Sequence, residues 1–131
     1  MKIAEILKKL GIKRSQALAT TPDDESESGH LRACAEAPHL RKPWLDFAQF
    51  LKQNGEWSGV MYCAERALSI ETRSDLDDAQ AWGSLPFDLA ATAAWHAGND
   101  EKALRYGKLA VEATPDCPRL KSNLEYYYSG K

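Results

Sequence analysis

The sequence predicts an all-α fold, an antiparallel array of helix pairs wound into a right-handed superhelix and closed by a C-terminal helix. Three observations predict it. Two stretches superimpose at an offset of 43 residues: Trp44 to Gly55 falls on Phe87 to Gly98, and Ala64 to Leu68 falls on Gly107 to Val111. Small and apolar residues recur three and four apart, as in Ala64, Ala67 and Leu68, the stripe that a packed helix requires. Period-two alternation never persists, so no strand is expected. Repetition at this period marks a helical array in which each unit buries its apolar face against its neighbours.

The elements follow in order. Met1 to Leu10 sets Ile3, Ile6, Leu7 and Leu10 at helical spacing, with Lys2, Lys8 and Lys9 elsewhere, and Gly11 stops it. This helix either docks on a membrane surface or partner or covers the exposed edge of the array; it is short and has no Trp or Phe, which favours the covering role. Ser15 to Gly29 is a polar linker. Within it Thr21-Pro22-Asp23-Asp24 has the cap, first-turn proline and acids of a helix start. Leu31 to Ala37 is helical and ends at Pro38. Lys42 to Gln53 is a helix stopped by Gly55, and Ser58 to Ile70 is its partner. Glu71 to Ser84 is a polar, acidic loop. Leu85 to Ala97 is stopped by Gly98-Asn99, and Asn99 or Asp100 caps Glu101 to Ala113. Pro115 and Pro118 bracket the turn into a last helix, Arg119 to about Tyr128.

Composition fits one domain. A chain of 131 residues buries roughly two-thirds of its unfolded surface, enough for an ordinary core. Seventeen basic and nineteen acidic residues leave a net charge of -2, so no nucleic acid or anionic membrane is expected as partner. Cys34, Cys63 and Cys117 form no CxxC pair, which argues against a disulfide framework and against zinc. Cys63 reads as a buried small apolar group. No apolar run approaches the roughly 18 residues that span a bilayer. Lysines interleave with the N-terminal apolar set, unlike a secretory signal. A cytoplasmic location is expected.

Trp44, Phe47, Ala48, Leu51, Gly55, Trp57, Ala64 and Ala67 in one unit, and Phe87, Ala90, Ala91, Ala94, Gly98, Ala103, Ala110 and Pro115 in the next, resemble the signature of the tetratricopeptide repeat, a helix-turn-helix unit of about 34 residues. The resemblance implies a tetratricopeptide-like domain over 31–131, with units at about 41–74 and 84–117 and a closing helix at 118–128, after an N-terminal helix and linker over 1–30. It also implies that Trp44 and Phe87 fill the same socket in successive layers. The loop from Glu71 to Ser84 departs from the pattern, adding about nine residues to the repeat. Ala35 to Trp44, Cys63 to Ile70, Ala81 to Ala91 and Pro115 to Tyr127 are similar to the C-terminal repeat region of bacterial and phage family-2-type glycosyltransferases. The transferase domain that precedes those repeats has no counterpart before residue 31.

The expected function is non-catalytic protein–protein interaction or scaffolding, with a protein or peptide as partner. The narrower resemblance implies the alternative of an accessory module positioning a glycosyltransferase or its acceptor. In arrays of this family the first helix of each pair lines a concave groove. That implies a partner-binding face made of Lys42, Leu45, Asp46, Gln49, Lys52 and Gln53, then Asp88, Leu89, Thr92, Trp95 and His96, then Arg119, Ser122, Asn123 and Tyr126. No catalytic, cofactor-binding or metal-binding residues are assigned. Asp75-Leu76-Asp77 mimics a metal–phosphate motif, but it lies in an inter-helix loop and not after a strand. His30, His39 and His96 lack helical ligand partners. Trp82 either folds over the groove or caps the core at the inserted loop; capping is adopted. Among Tyr126, Tyr127 and Tyr128 at least one must be exposed. Self-association into a homodimer, through Met1 to Leu10 or an exposed edge, is a further expectation, because two full units are few for an independent array.

Overall fold

Residues 3–10 and 27–129 are described by the computed structural model, and among them every regular element is helical. In chain order these are α1 (Ile3–Leu10), α2 (Glu27–Glu36), α3 (Arg41–Gln53), α4 (Trp57–Leu68), a 3-10 turn (Ala79–Trp82), α5 (Leu85–His96), α6 (Asp100–Ala113) and α7 (Pro118–Ser129). The predicted helix entrance at Thr21 to Asp24 lies outside the described residues. From α2 onward each helix packs on the next, and α3 also touches α5.

Two glycines set the hairpins. Gly55 and Gly98 adopt φ of 71° and 78°, the left-handed region that Cβ-bearing residues avoid. The turns around them repeat bond for bond. In the first, Gly55 N–H donates to Lys52 O, Glu56 N–H to Leu51 O and Val60 N–H to Glu56 O. In the second, Gly98 N–H donates to Trp95 O, Asn99 N–H to Ala94 O and Ala103 N–H to Asn99 O. Every donor and acceptor is displaced by the 43 residues read from the sequence. Asn99 also caps α6, accepting from Lys102 N at 3.1 Å, as its position predicts.

Small residues let the paired helices approach. Ala64 and Ala67 of α4 and their counterparts Gly107 and Ala110 of α6 are all buried. Around them Trp44, Phe47, Leu51, Val60, Cys63 and Leu89 build the main core. α1 seats Ile6 in that core and packs on α2 and α4, in keeping with a covering helix.

Three expectations need correction. α2 begins at Glu27, ahead of the expected Leu31, and places Gly29 in its buried face. α4 ends at Leu68 and not at Ile70, and the Ile70 carbonyl accepts two bonds from the buried Arg41 guanidinium. Trp44 and Phe87 do not fill equal sockets. Trp44 is fully buried, edge-on to Tyr62 and beneath the Arg66 guanidinium, and its indole N–H donates to Pro38 O. Phe87 is only half-buried. The second unit has Arg105 and Leu109 where Tyr62 and Arg66 stand in the first, so the covering groups do not repeat.

Candidate functional site

Three helices carry candidate residues at the same spacing, i, i+4 and i+7, which puts each set on one face. They are Lys42, Asp46 and Gln49 on α3; Asp88, Thr92 and Trp95 on α5; and Arg119, Asn123 and Tyr126 on α7. Arg119 bonds Asp88 at 2.9 Å, and the Trp95 and Tyr126 rings meet edge to face at 5.0 Å. Both pairs are 31 residues apart, so α5 and α7 run side by side in the same direction. Thr92 Oγ1 lies 3.5 Å from Tyr127 Oη between them. A small cleft of about 30 Å³ joins Lys42, Leu45, Asp46 and Gln49 to Gln80 and Leu85. A larger depression of about 310 Å³ lies beside it, with Ser84, Asp88, Thr114 and Arg119 in its wall. Another, of about 380 Å³, opens between α2 and α3.

The face is not made of all the residues expected on it. Leu45 and Leu89 lie in the core, 1% and 2% exposed, and offer a partner almost no surface. Asp88 is 8% exposed and its carboxylate is engaged by Arg119, so it positions α7 and does not reach outward. His96 is exposed but turned aside, stacked flat on Trp57 at 3.8 Å. Lys42, Gln49, Lys52, Gln53, Arg119, Ser122 and Tyr126 are exposed, and Asp46, Thr92, Trp95 and Asn123 partly so.

The charges on this face pair with each other. Lys42 holds Asp46 at 2.8 Å, and that hydrogen bond raises the lysine's pKa above its ordinary value. The bond from Asp88 likewise raises that of Arg119. Lys52 makes no ion pair among the described residues. Of the three tyrosines, Tyr127 is buried, and burial raises its pKa; Tyr126 and Tyr128 are exposed.

The inserted loop supplies a group that sequence reasoning missed. Asp77 accepts from the backbone N–H of Arg41 at 2.8 Å and of Lys42 at 2.9 Å, capping α3 from a distance. Its own loop adds the Trp82 indole N–H and the Asp78 N–H. Burial alone would raise the pKa of Asp77, yet these donors hold it below the usual carboxylate value. The Arg41 guanidinium lies 3.6 Å over the Trp82 ring and donates to the carbonyls of Ile70 and Ala81. Burial lowers its pKa and Asp77 opposes that shift. Trp82 therefore fastens the loop to the array. A signal was present: Leu40 stands at the N-cap of α3 and has no side-chain oxygen to accept a bond, so the first N–H groups needed another acceptor.

Among the described residues no three His, Cys, Asp or Glu side chains gather as a metal site, and no helix is long and apolar enough to cross a membrane. Comparison with protein-family models, with curated proteins and with solved structures gives no match.

Proposed function

We propose that the chain is a non-catalytic interaction module, and that its helix pairs form a tetratricopeptide-like array whose α3, α5 and α7 present a binding face to a peptide or helix of a partner protein. The observation that carries this reading is the bond-for-bond repetition of the two hairpin turns at 43 residues. Stacked equivalent hairpins generate a surface of equivalent helix faces, and such surfaces serve recognition. The face suits a peptide ligand. Trp95 and Tyr126 offer amphipathic aromatic area, and Gln49, Thr92 and Asn123 offer amide and hydroxyl groups one turn away.

The test is capture from a displayed random-peptide library by the wild-type chain, Trp95→Ala and Gln49→Ala. Peptides selected by the wild type are expected to lose binding to both variants. Selected peptides retained equally by both would remove the face from consideration.

A further inference from the structure

We propose that the tip of the inserted loop, Asp75 and Leu76, of one copy docks on the Lys52, Trp95 and Tyr126 corner of a second copy. The proposal rests on the reading of that face as a docking surface and names its occupant. Three large hydrophobic side chains stand exposed among the described residues: Leu76 at 80%, Tyr126 at 52% and Tyr128 at 59%. Leu76 is on the acidic loop, and Tyr126 is on the binding face against Trp95. Burying Leu76 against the partly exposed Trp95 ring and the exposed Tyr126 ring of another copy would remove apolar area of both copies from water.

The two surfaces differ in charge. Around Leu76 the exposed Glu71, Asp75 and Asp78 outweigh Arg73. Of the candidate residues on the face, Asp46 and Asp88 are each neutralised by their own ion pair, and Lys52 carries a charge with no ion pair among the described residues. Lys52 occupies the repeat position of Trp95, 43 residues earlier, so it sits on the neighbouring helix at the same level. Helix axes in such packing stand about 8–10 Å apart, within reach of a short acidic loop whose leucine meets the rings.

The tip is built before it binds. Ser74 Oγ accepts the Leu76 N–H at 3.1 Å, Asp77 N–H donates to Ser74 O, and the Asp77 carboxylate is tied to the start of α3. A fixed loop loses little freedom on docking. The contact joins unlike surfaces, so it runs from one copy to the next and closes as a ring or extends as a chain. Its small area makes it weak, and concentrated protein is needed to see it.

The experiment is sedimentation equilibrium of the full chain over a range of concentrations, with Leu76→Ser and Tyr126→Ala, each checked for native helicity by circular dichroism. Both substitutions lie at exposed positions, so folding is expected to survive. The wild type is expected to gain mass with concentration, less so at high salt. Each variant alone is expected to associate about 10-fold or more weakly. An equimolar mixture of the two is expected to form a heterodimer, because each brings the half that the other lacks. A wild type that stays monomeric, a Leu76→Ser chain that associates like wild type, or a mixture with no heterodimer each overturns the proposal. Any of these leaves the binding face itself to be judged by the library capture, where the partner is a foreign peptide.

Discussion

Asp77 accepts the backbone N–H of Arg41 across 36 residues of chain, at 2.8 Å. One carboxylate thereby joins the inserted loop to the first turn of α3. Removing it leaves two helix N–H groups without their acceptor and frees the Trp82 indole, which otherwise bonds the same carboxylate. Asp77→Ala is expected to cost about 1–2 kcal/mol, the upper range for a lost cap, in urea unfolding. Asp75→Ala, on the exposed neighbour, is expected to change stability by under about 0.5 kcal/mol. Equal effects at the two positions would show that the cap does not hold α3.

The same carboxylate makes stability depend on acid. Its folded-state pKa lies below the usual value, held there by the donors that outweigh burial. Its contribution is therefore complete above the unfolded carboxylate range, near pH 4, and is lost as pH falls through the lower folded value. Unfolding free energy measured from pH 7 down to pH 2 is expected to fall more steeply for the wild type than for Asp77→Asn. Parallel curves would show that Asp77 contributes nothing to acid sensitivity.

Trp44 and Phe87 are equivalent in sequence and unequal in space. Trp44 is fully buried under Tyr62 and Arg66, whereas Phe87 is half-buried. Trp44→Ala is expected to cost about 3–5 kcal/mol, typical of a large buried ring. Phe87→Ala is expected to cost less than half of that. Denaturant midpoints of the two variants decide the matter, and equal losses would mean that the sockets are alike after all.

This contrast shows what was legible in the sequence. The hairpins were readable because Gly55 and Gly98 solve a local problem, and their neighbours 43 residues apart repeat the solution. The cap from Asn99 was readable for the same reason. The unlike surroundings of Trp44 and Phe87 were not, because burial depends on what the next layer lays over a ring. The family resemblance implies Leu45 and Leu89 on the proposed binding face, yet both lie in the core, covered by neighbouring helices. The capping role of Asp77 is not legible locally, because its partners, Arg41 and Lys42, are distant in the chain. Local chemistry was visible, and long-range pairing was not.

The cysteines give a simple check on the core. Cys34 and Cys63 are buried, and burial pushes both thiols well above their ordinary pKa; nearby Asp46 adds to the effect on Cys34. A buried, protonated thiol is a poor nucleophile. In folded protein at pH 8, iodoacetamide is expected to modify Cys117, which is partly exposed, and to spare the other two until denaturant is added. Mass spectrometry of the native digest reads this directly. Prompt labelling of Cys63 would place it at the surface.

Gly107 shows how the closing helix is fitted to the array. It occupies the position of Ala64 in the first unit, where a methyl group is tolerated. A Cβ at Gly107 would stand 3.0 Å from Tyr127 Cδ2 and 3.2 Å from Leu124 Cδ1. Alanine is the better helix former by roughly 0.8–1.0 kcal/mol, so propensity and crowding oppose each other. Both close neighbours belong to α7, and the nearer, Tyr127, is buried against Trp95 and has little room to withdraw. Overpacking typically costs about 1–3 kcal/mol, and Gly107→Ala is expected to be destabilising by about 1 kcal/mol net. In a Tyr127→Leu background the crowding shrinks while the gain in propensity remains. The substitution should there become neutral or stabilising, giving a coupling energy of about 1 kcal/mol or more in a double-mutant cycle. Additive effects at the two sites would mean that α7 does not press on α6 at this point.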